Sequence, residues 1–209
     1  MKRRIAILIS GRGSNMQALV RAAKEPDYPA EIVLVVSNQP EAAGLAWASD
    51  QGIATAVVGH KAFKKDREAF ERAIHAELEK ANVEIVCLAG FMRLLTPWFI
   101  YQWRDRLINI HPSLLPSFKG LNTHQRVLDA GVKLHGCTVH FVRPDMDAGP
   151  IIAQQAVPVL DDDDPDSLAE RVLAAEHALY PHALTEMIRG LEGGWTIQDE
   201  RVIGIRPIE

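Results

Sequence analysis

Short apolar runs alternate with stretches of helical period through the first half of the chain. Ile5-Ala6-Ile7-Leu8-Ile9 holds no polar position and stops at Ser10-Gly11-Arg12-Gly13. An uninterrupted run of this kind is the pattern of a strand buried on both faces. Behind the turn, Met16, Leu19, Val20 and Ala23 recur at the spacing of one helix face. Residues 32–36 then read as a second strand, 42–51 as a short helix stopped at Gly52, and 55–58 as a third strand. Asp66 is placed to cap a helix whose apolar stripe is Phe70, Ala73, Ile74 and Ala81. Residues 84–89 and 107–111 supply a fourth and a fifth strand. Strands alternating with helices predict right-handed βαβ units. The expected class is α/β, an open, mostly parallel, twisted sheet with helices on both faces.

The second half has a different rhythm. Residues 135–142 and 151–159 read as strands joined by the loop 143–150 with no helix between them, which predicts an antiparallel extension. The acidic run 161–164 leads into Pro165, an arrangement of N-cap aspartate, proline at the first helical position and acids at the positive end of the dipole. The EF-hand liganding pattern is missing from it. Leu168, Val172, Ala175 and Leu179 form the stripe of the helix that follows. Pro181 is expected to kink or interrupt that helix, Gly190, Gly193 and Gly194 to end it, and 195–203 to form a small terminal hairpin. The expectation is a single domain over 1–209, with a first half of about 1–105 and a second of about 106–209.

Composition narrows the class. The chain has 209 residues, 47% hydrophobic and 24% charged, with a formal net charge of −4. That balance excludes a general nucleic-acid binder, whose affinity comes from concentrated positive charge. No apolar run approaches the roughly 20 residues that cross a bilayer, and the apolar stretch after Met1-Lys2-Arg3-Arg4 is too short for a signal peptide. Cys87 and Cys137 read as small buried hydrophobes of a reducing compartment, so a cytoplasmic location is expected. Trp98, Phe99, Tyr101 and Trp103 cluster between the fourth and fifth strands and read as core or as a dimer face. Monomer and homodimer both remain open.

Two places carry chemistry. The turn Ser10-Gly11-Arg12-Gly13-Ser14-Asn15 joins a strand to a helix, where backbone N–H groups and the helix dipole make an anion site. Met16 breaks the dinucleotide fingerprint and no Gly-Lys-Ser/Thr follows, so a loop sized for one phosphate remains beside the alternative of an unliganded turn. Asn109 and His111 lie two apart at the end of an apolar strand and so share one face. Asp145-Met146-Asp147-Ala148-Gly149-Pro150 supplies a carboxylate from a later loop. An amide, an imidazole and a carboxylate fit acyl-type transfer without a covalent enzyme intermediate. No nucleophile-elbow motif is present. Eight histidines occur, but neither the His135/His140 spacing nor a His-Glu-x-x-His motif points to zinc, and no metal is expected.

Five segments together carry a family resemblance: Ile9-Ser10-Gly11-Arg12-Gly13-Ser14-Asn15, Leu88-Ala89-Gly90-Phe91-Met92-Arg93-Leu94-Leu95, Asn109-Ile110-His111-Pro112-Ser113-Leu114-Leu115-Pro116, Asp147-Ala148-Gly149-Pro150 and Glu176-His177-Ala178-Leu179-Tyr180-Pro181. In them the chain resembles the glycinamide ribonucleotide formyltransferases, folate-dependent enzymes of purine biosynthesis. The likeness runs from about residue 5 to 189 and is weak over the last twenty residues. It implies that Asn109, His111 and Asp147 are catalytic. It implies that Gly13, Ser14, Asn15 and Glu176 meet the ribonucleotide. On the folate side it implies Arg67, Met92, Arg93, Leu94, Leu95 and Val142, with 10-formyltetrahydrofolate as co-substrate and glycinamide ribonucleotide as acceptor. Leu173 departs from relatives that place a polar, ribose-reaching residue there, and Ala148 stands where some have a second glycine. Methionyl-tRNA formyltransferases and formyltetrahydrofolate deformylases share parts of the pattern with extra domains, which the length and start of this chain are not expected to accommodate. Hydrolysis of the formyl donor, or a non-catalytic folate or nucleotide sensor, are the alternatives to transfer.

Overall fold

The computed structural model describes residues 1–204. The chain divides into two compact units, Met1–Asn109 and a second beginning at Ile110. In the first, β1 (Arg3–Ile9) leads to α1 (Ser14–Ala23), β2 (Ala30–Ser37), α2 (Ala43–Asp50) and β3 (Ala54–Val57). A single 3-10 turn, His60–Phe63, precedes α3 (Arg67–Lys80), β4 (Ile85–Leu88), α4 (Pro97–Gln102) and the start of β5 (Leu107–His111). β1 pairs in parallel with both β2 and β4, and β2–β3 and β4–β5 are parallel as well. Ile5 through Ile9 are each 0% exposed. Successive strand residues point to opposite faces, so both faces of β1 are covered, as its unbroken apolar run requires.

The second unit holds the end of β5, α5 (Thr123–Asp129), β6 (Leu134–Phe141), β7 (Ile151–Pro158) and α6 (Pro165–Arg189). β6 and β7 are antiparallel, with a register shift between Val139 and His140. α6 packs on both of them. A turn over Gly190–Gly194 leads into the hairpin of β8 (Thr196–Gln198) and β9 (Arg201–Ile203). Hydrogen bonding orders the strands of the first unit β3-β2-β1-β4-β5; in the second β6 lies beside β7, and β8-β9 form a separate sheet. The α/β class, the mostly parallel sheet, the antiparallel extension and the terminal hairpin all agree with the pattern analysis.

Some expectations are corrected. α6 runs through Pro181 without interruption. Proline forfeits one helical hydrogen bond, but Leu179, Tyr180, Ala183 and Leu184 around it are all at most 2% exposed. Their burial outweighs the lost bond. α4 and α5 were not foreseen as helices, because six and seven residues are too few to show a helical period. In the aromatic cluster Phe99 and Trp103 are buried, as the core reading expects, whereas Tyr101 is exposed. At the head of α6, Asp164 accepts from the N–H groups of Asp166 and Ser167 while the Ser167 hydroxyl returns a bond from Asp164 N–H, a full capping box behind Pro165.

Candidate active site

In the first unit the glycine-rich turn closes β1. Gly13, at φ 69°, is the N-cap of α1 and brings no side chain to cap the helix. Only a residue without Cβ takes this left-handed conformation cheaply. The N–H groups at Ser14 and Asn15 therefore head a helix with no capping side chain, the geometry that receives an anion. Gly44, which the pattern analysis did not single out, backs this turn. Its N–H donates to Gly11 O at 3.1 Å, and a Cβ there would lie 2.5 Å from Ile9 Cδ1.

Ser10 ties the turn to the loop after β4. Its N–H donates to Gly90 O at 3.1 Å, and its hydroxyl donates to Asn38 Oδ1 at 2.6 Å while accepting the Met92 N–H at 2.8 Å. Phe91 is buried, but Met92 and Leu94 are 69% and 65% exposed. The Arg93 guanidinium lies 5.9 Å from the Phe70 ring. Arg67, on α3, donates to Leu94 O. Arg67 thus reaches from α3 to the loop that carries Met92, Arg93, Leu94 and Leu95.

In the second unit, His111 and Asp147 meet. His111 Nδ1 lies 3.5 Å from Asp147 Oδ2, with side chains only 7% and 12% exposed. His111 Nε2 lies 3.1 Å from Phe118 O. Both ring nitrogens therefore face oxygen acceptors, and donation from both at once requires the doubly protonated ring. The Gly120 N–H donates to Asp147 Oδ2 at 2.8 Å. Asp147 itself is held at φ 49°, in the left-handed region that few non-glycine residues occupy. His140, missed in the sequence, reaches the same carboxylate, its Nε2 being 3.9 Å from Oδ1. Burial lowers the His140 pKa, opposed by its contacts to Phe141 O and Asp147. Asn109, two residues before His111 on β5, is half-buried.

The loop from 112 to 117 is braced by an unforeseen network. Thr138 Oγ1 donates to Ser113 O at 2.7 Å and accepts the Leu115 N–H at 3.1 Å, while Gln154 Nε2 donates to Thr138 Oγ1 at 2.9 Å. Threonine and glutamine on strands show no motif, so only the paired register of β6 and β7 reveals them. Val142 follows β6, half-buried at the start of the Asp147 loop. Glu176 is buried on α6, with the half-buried Leu173 one turn before it. Burial, with the Glu176 charge beside it, pushes the Cys137 thiol up to about 12, which makes it inert as a nucleophile.

His124 Nδ1 and His135 Nε2 lie 3.1 Å apart. Burial, then the charges of His124 and His111, lower His135 to about 4. Its folded pKa lies below its unfolded value, so the unfolded state binds more protons between the two. The stabilising contribution of neutral His135 is complete above about pH 6.5 and is lost as pH falls toward 4. Urea unfolding is expected to give lower stability at pH 5 than at pH 7, and His135→Gln should flatten that difference. An unchanged slope in the variant would assign the pH dependence to other groups.

Among the described residues no group of three or more His, Cys, Asp or Glu is placed to hold a metal ion, and no helix is long and apolar enough to cross a membrane.

Comparison with known proteins places this arrangement. A profile of the Formyl transferase family matches residues 3–184, and the chain belongs to that family. It is 45% identical to the phosphoribosylglycinamide formyltransferase of Escherichia coli K12 over 177 residues, covering 85% of this chain and 83% of that protein. It is 53% identical over 189 residues to the Bos taurus trifunctional purine biosynthetic protein adenosine-3, covering 90% of this chain but only 19% of that protein. The crystal structure of phosphoribosylglycinamide formyltransferase from Brucella melitensis superimposes with a TM-score of 0.85 at 58% identity, covering 88% of this chain and 95% of that one.

Proposed function

We propose that the chain transfers the formyl group of 10-formyltetrahydrofolate to the primary amine of glycinamide ribonucleotide, in purine biosynthesis. The observation that carries this reading is the buried His111–Asp147 contact at the end of β5, two residues from Asn109. Asn109 N–H₂ and protonated His111 donate to the formyl oxygen as it gains charge. The amine forms the new C–N bond at the formyl carbon, and the bond from that carbon to N10 breaks. Asp147 orients His111 in its charged form, and the pair conducts the amine proton toward N10, directly or through water. Gly13, Ser14 and Asn15 bind the ribonucleotide phosphate and Glu176 its ribose hydroxyls. Anchoring the acceptor at a remote anion lowers the entropic part of the barrier. Arg67, Met92, Arg93, Leu94, Leu95 and Val142 bind the folate. The exposed apolar side chains of Met92 and Leu94 suit a flat aromatic ligand.

Transfer is favoured over hydrolysis because relatives covering most of their own length are named as phosphoribosylglycinamide formyltransferases. An absorbance assay of folate deformylation with and without glycinamide ribonucleotide separates the two. Strict dependence on the ribonucleotide is expected, and formate release without it would establish a hydrolase. Ser14→Ala and Asn15→Ala are expected to raise KM for the ribonucleotide about tenfold with little change in KM for the folate. A rise confined to the folate would mean the two substrates are reversed. The reading includes a single catalytic domain acting in the cytoplasm on small molecules, as a monomer or homodimer, without nucleic acid, membrane or metal.

A further inference from the structure

We infer that Glu71, outside the proposed reacting and ligand-contacting groups, is the positioning residue of the folate loop. The inference rests on the folate reading of residues 92–95. Glu71 is 1% exposed on α3, between Phe70 and Ile74 of its apolar stripe. A carboxylate there costs folding free energy that an apolar residue would not. What it obtains in return is a grip on Thr96, whose N–H donates to Glu71 Oε1 at 2.8 Å and whose hydroxyl donates to Oε2.

Thr96 is itself the N-cap of α4, with Pro97 behind it. A threonine at this position ordinarily turns its hydroxyl onto its own helix. Here no such cap bond forms and the hydroxyl goes to Glu71. The arrangement therefore serves the loop rather than α4. The loop is held at alternate residues: Met92 N–H on Ser10 Oγ, Leu94 O on Arg67, and Thr96 on Glu71. Arg67 and Glu71 are one turn apart on the same face of α3. Between these anchors the side chains of Met92 and Leu94 stay exposed. A backbone already immobilised beneath exposed apolar groups spares the ligand the cost of ordering it. Without Glu71 the C-terminal end of the loop is released.

The test compares wild type with Glu71→Ala, Glu71→Gln, Thr96→Val and Thr96→Ser, measuring both KM values, kcat, and tetrahydrofolate binding by tryptophan fluorescence. Glu71→Ala and Thr96→Val are expected to raise KM for 10-formyltetrahydrofolate about tenfold while KM for the ribonucleotide stays within about twofold. Glu71→Gln and Thr96→Ser, which keep hydrogen-bonding groups in place, should recover most of the loss. If Glu71→Ala does not fold, the two Thr96 variants decide. A fall in Tm with both KM values unchanged, or both KM values rising together, overturns the inference. If wild type shows no transfer, the tetrahydrofolate Kd carries the test. Weaker binding in Glu71→Ala and Thr96→Val then supports the anchor although the transfer reading has failed, and equal binding, or none in wild type, overturns it.

Discussion

His111→Ala is expected to lower kcat at least about 100-fold with the fold intact, and Asn109→Ala to do the same. In the proposed mechanism each substitution removes a donor aimed at charge that develops only in the transition state. A loss of this size corresponds to about 2.7 kcal/mol of barrier. The effect should fall on kcat and kcat/KM alike, because neither side chain is proposed to hold the ground state strongly. Stability should change much less. Asp147 keeps the Gly120 N–H when the imidazole is gone, so its carboxylate is not stranded. Steady-state kinetics beside circular dichroism and a melting curve check both halves of the expectation. Near-normal turnover in a folded variant of either residue would remove the pair from the mechanism.

Gly149→Ala is expected to be the most damaging small substitution in the Asp147 loop. A Cβ at 149 would lie 1.8 Å from Phe141 O and 2.8 Å from Phe141 C, and backbone atoms of β6 cannot rotate away. The loop must lift from the strand, at a cost of roughly 1–3 kcal/mol or more. Asp147 is two residues upstream, so a displacement of about 1 Å also disturbs its approach to His111, and kcat should fall by up to about 100-fold. Ala148→Gly is the matched control. Ala148 is exposed, and the change affects only chain entropy, worth less than about 1 kcal/mol. A melting temperature and kcat for Gly149→Ala equal to those of wild type would show that the loop has slack that the close approach at Phe141 denies.

Much of the fold was legible along the chain, for a definite reason. Strands covered on both faces are built almost wholly of apolar residues, so 5–9 announced itself without neighbours. Capping is equally local, and Asp66 and Asp164 marked the starts of α3 and α6 through contacts within three residues. What escaped was short or was overruled by packing. α4 and α5 lack the length for a period, and Pro181 carries a local signal that the buried residues around it defeat.

The same division holds for the site. The residue types and their spacing determined by themselves that a glycine turn opens the first helix, that Asn109 and His111 share a strand face, and that a carboxylate waits in a later loop. These are consequences of covalent order and backbone period. Only tertiary structure decided that Asp147 lies 3.5 Å from His111, that His140 stands behind it, and that Glu71 grips Thr96 from 25 residues away. Those contacts join segments far apart in sequence, and burial sets their strength by removing water from around the charges. Neither partner carries a mark of the other until the chain has folded.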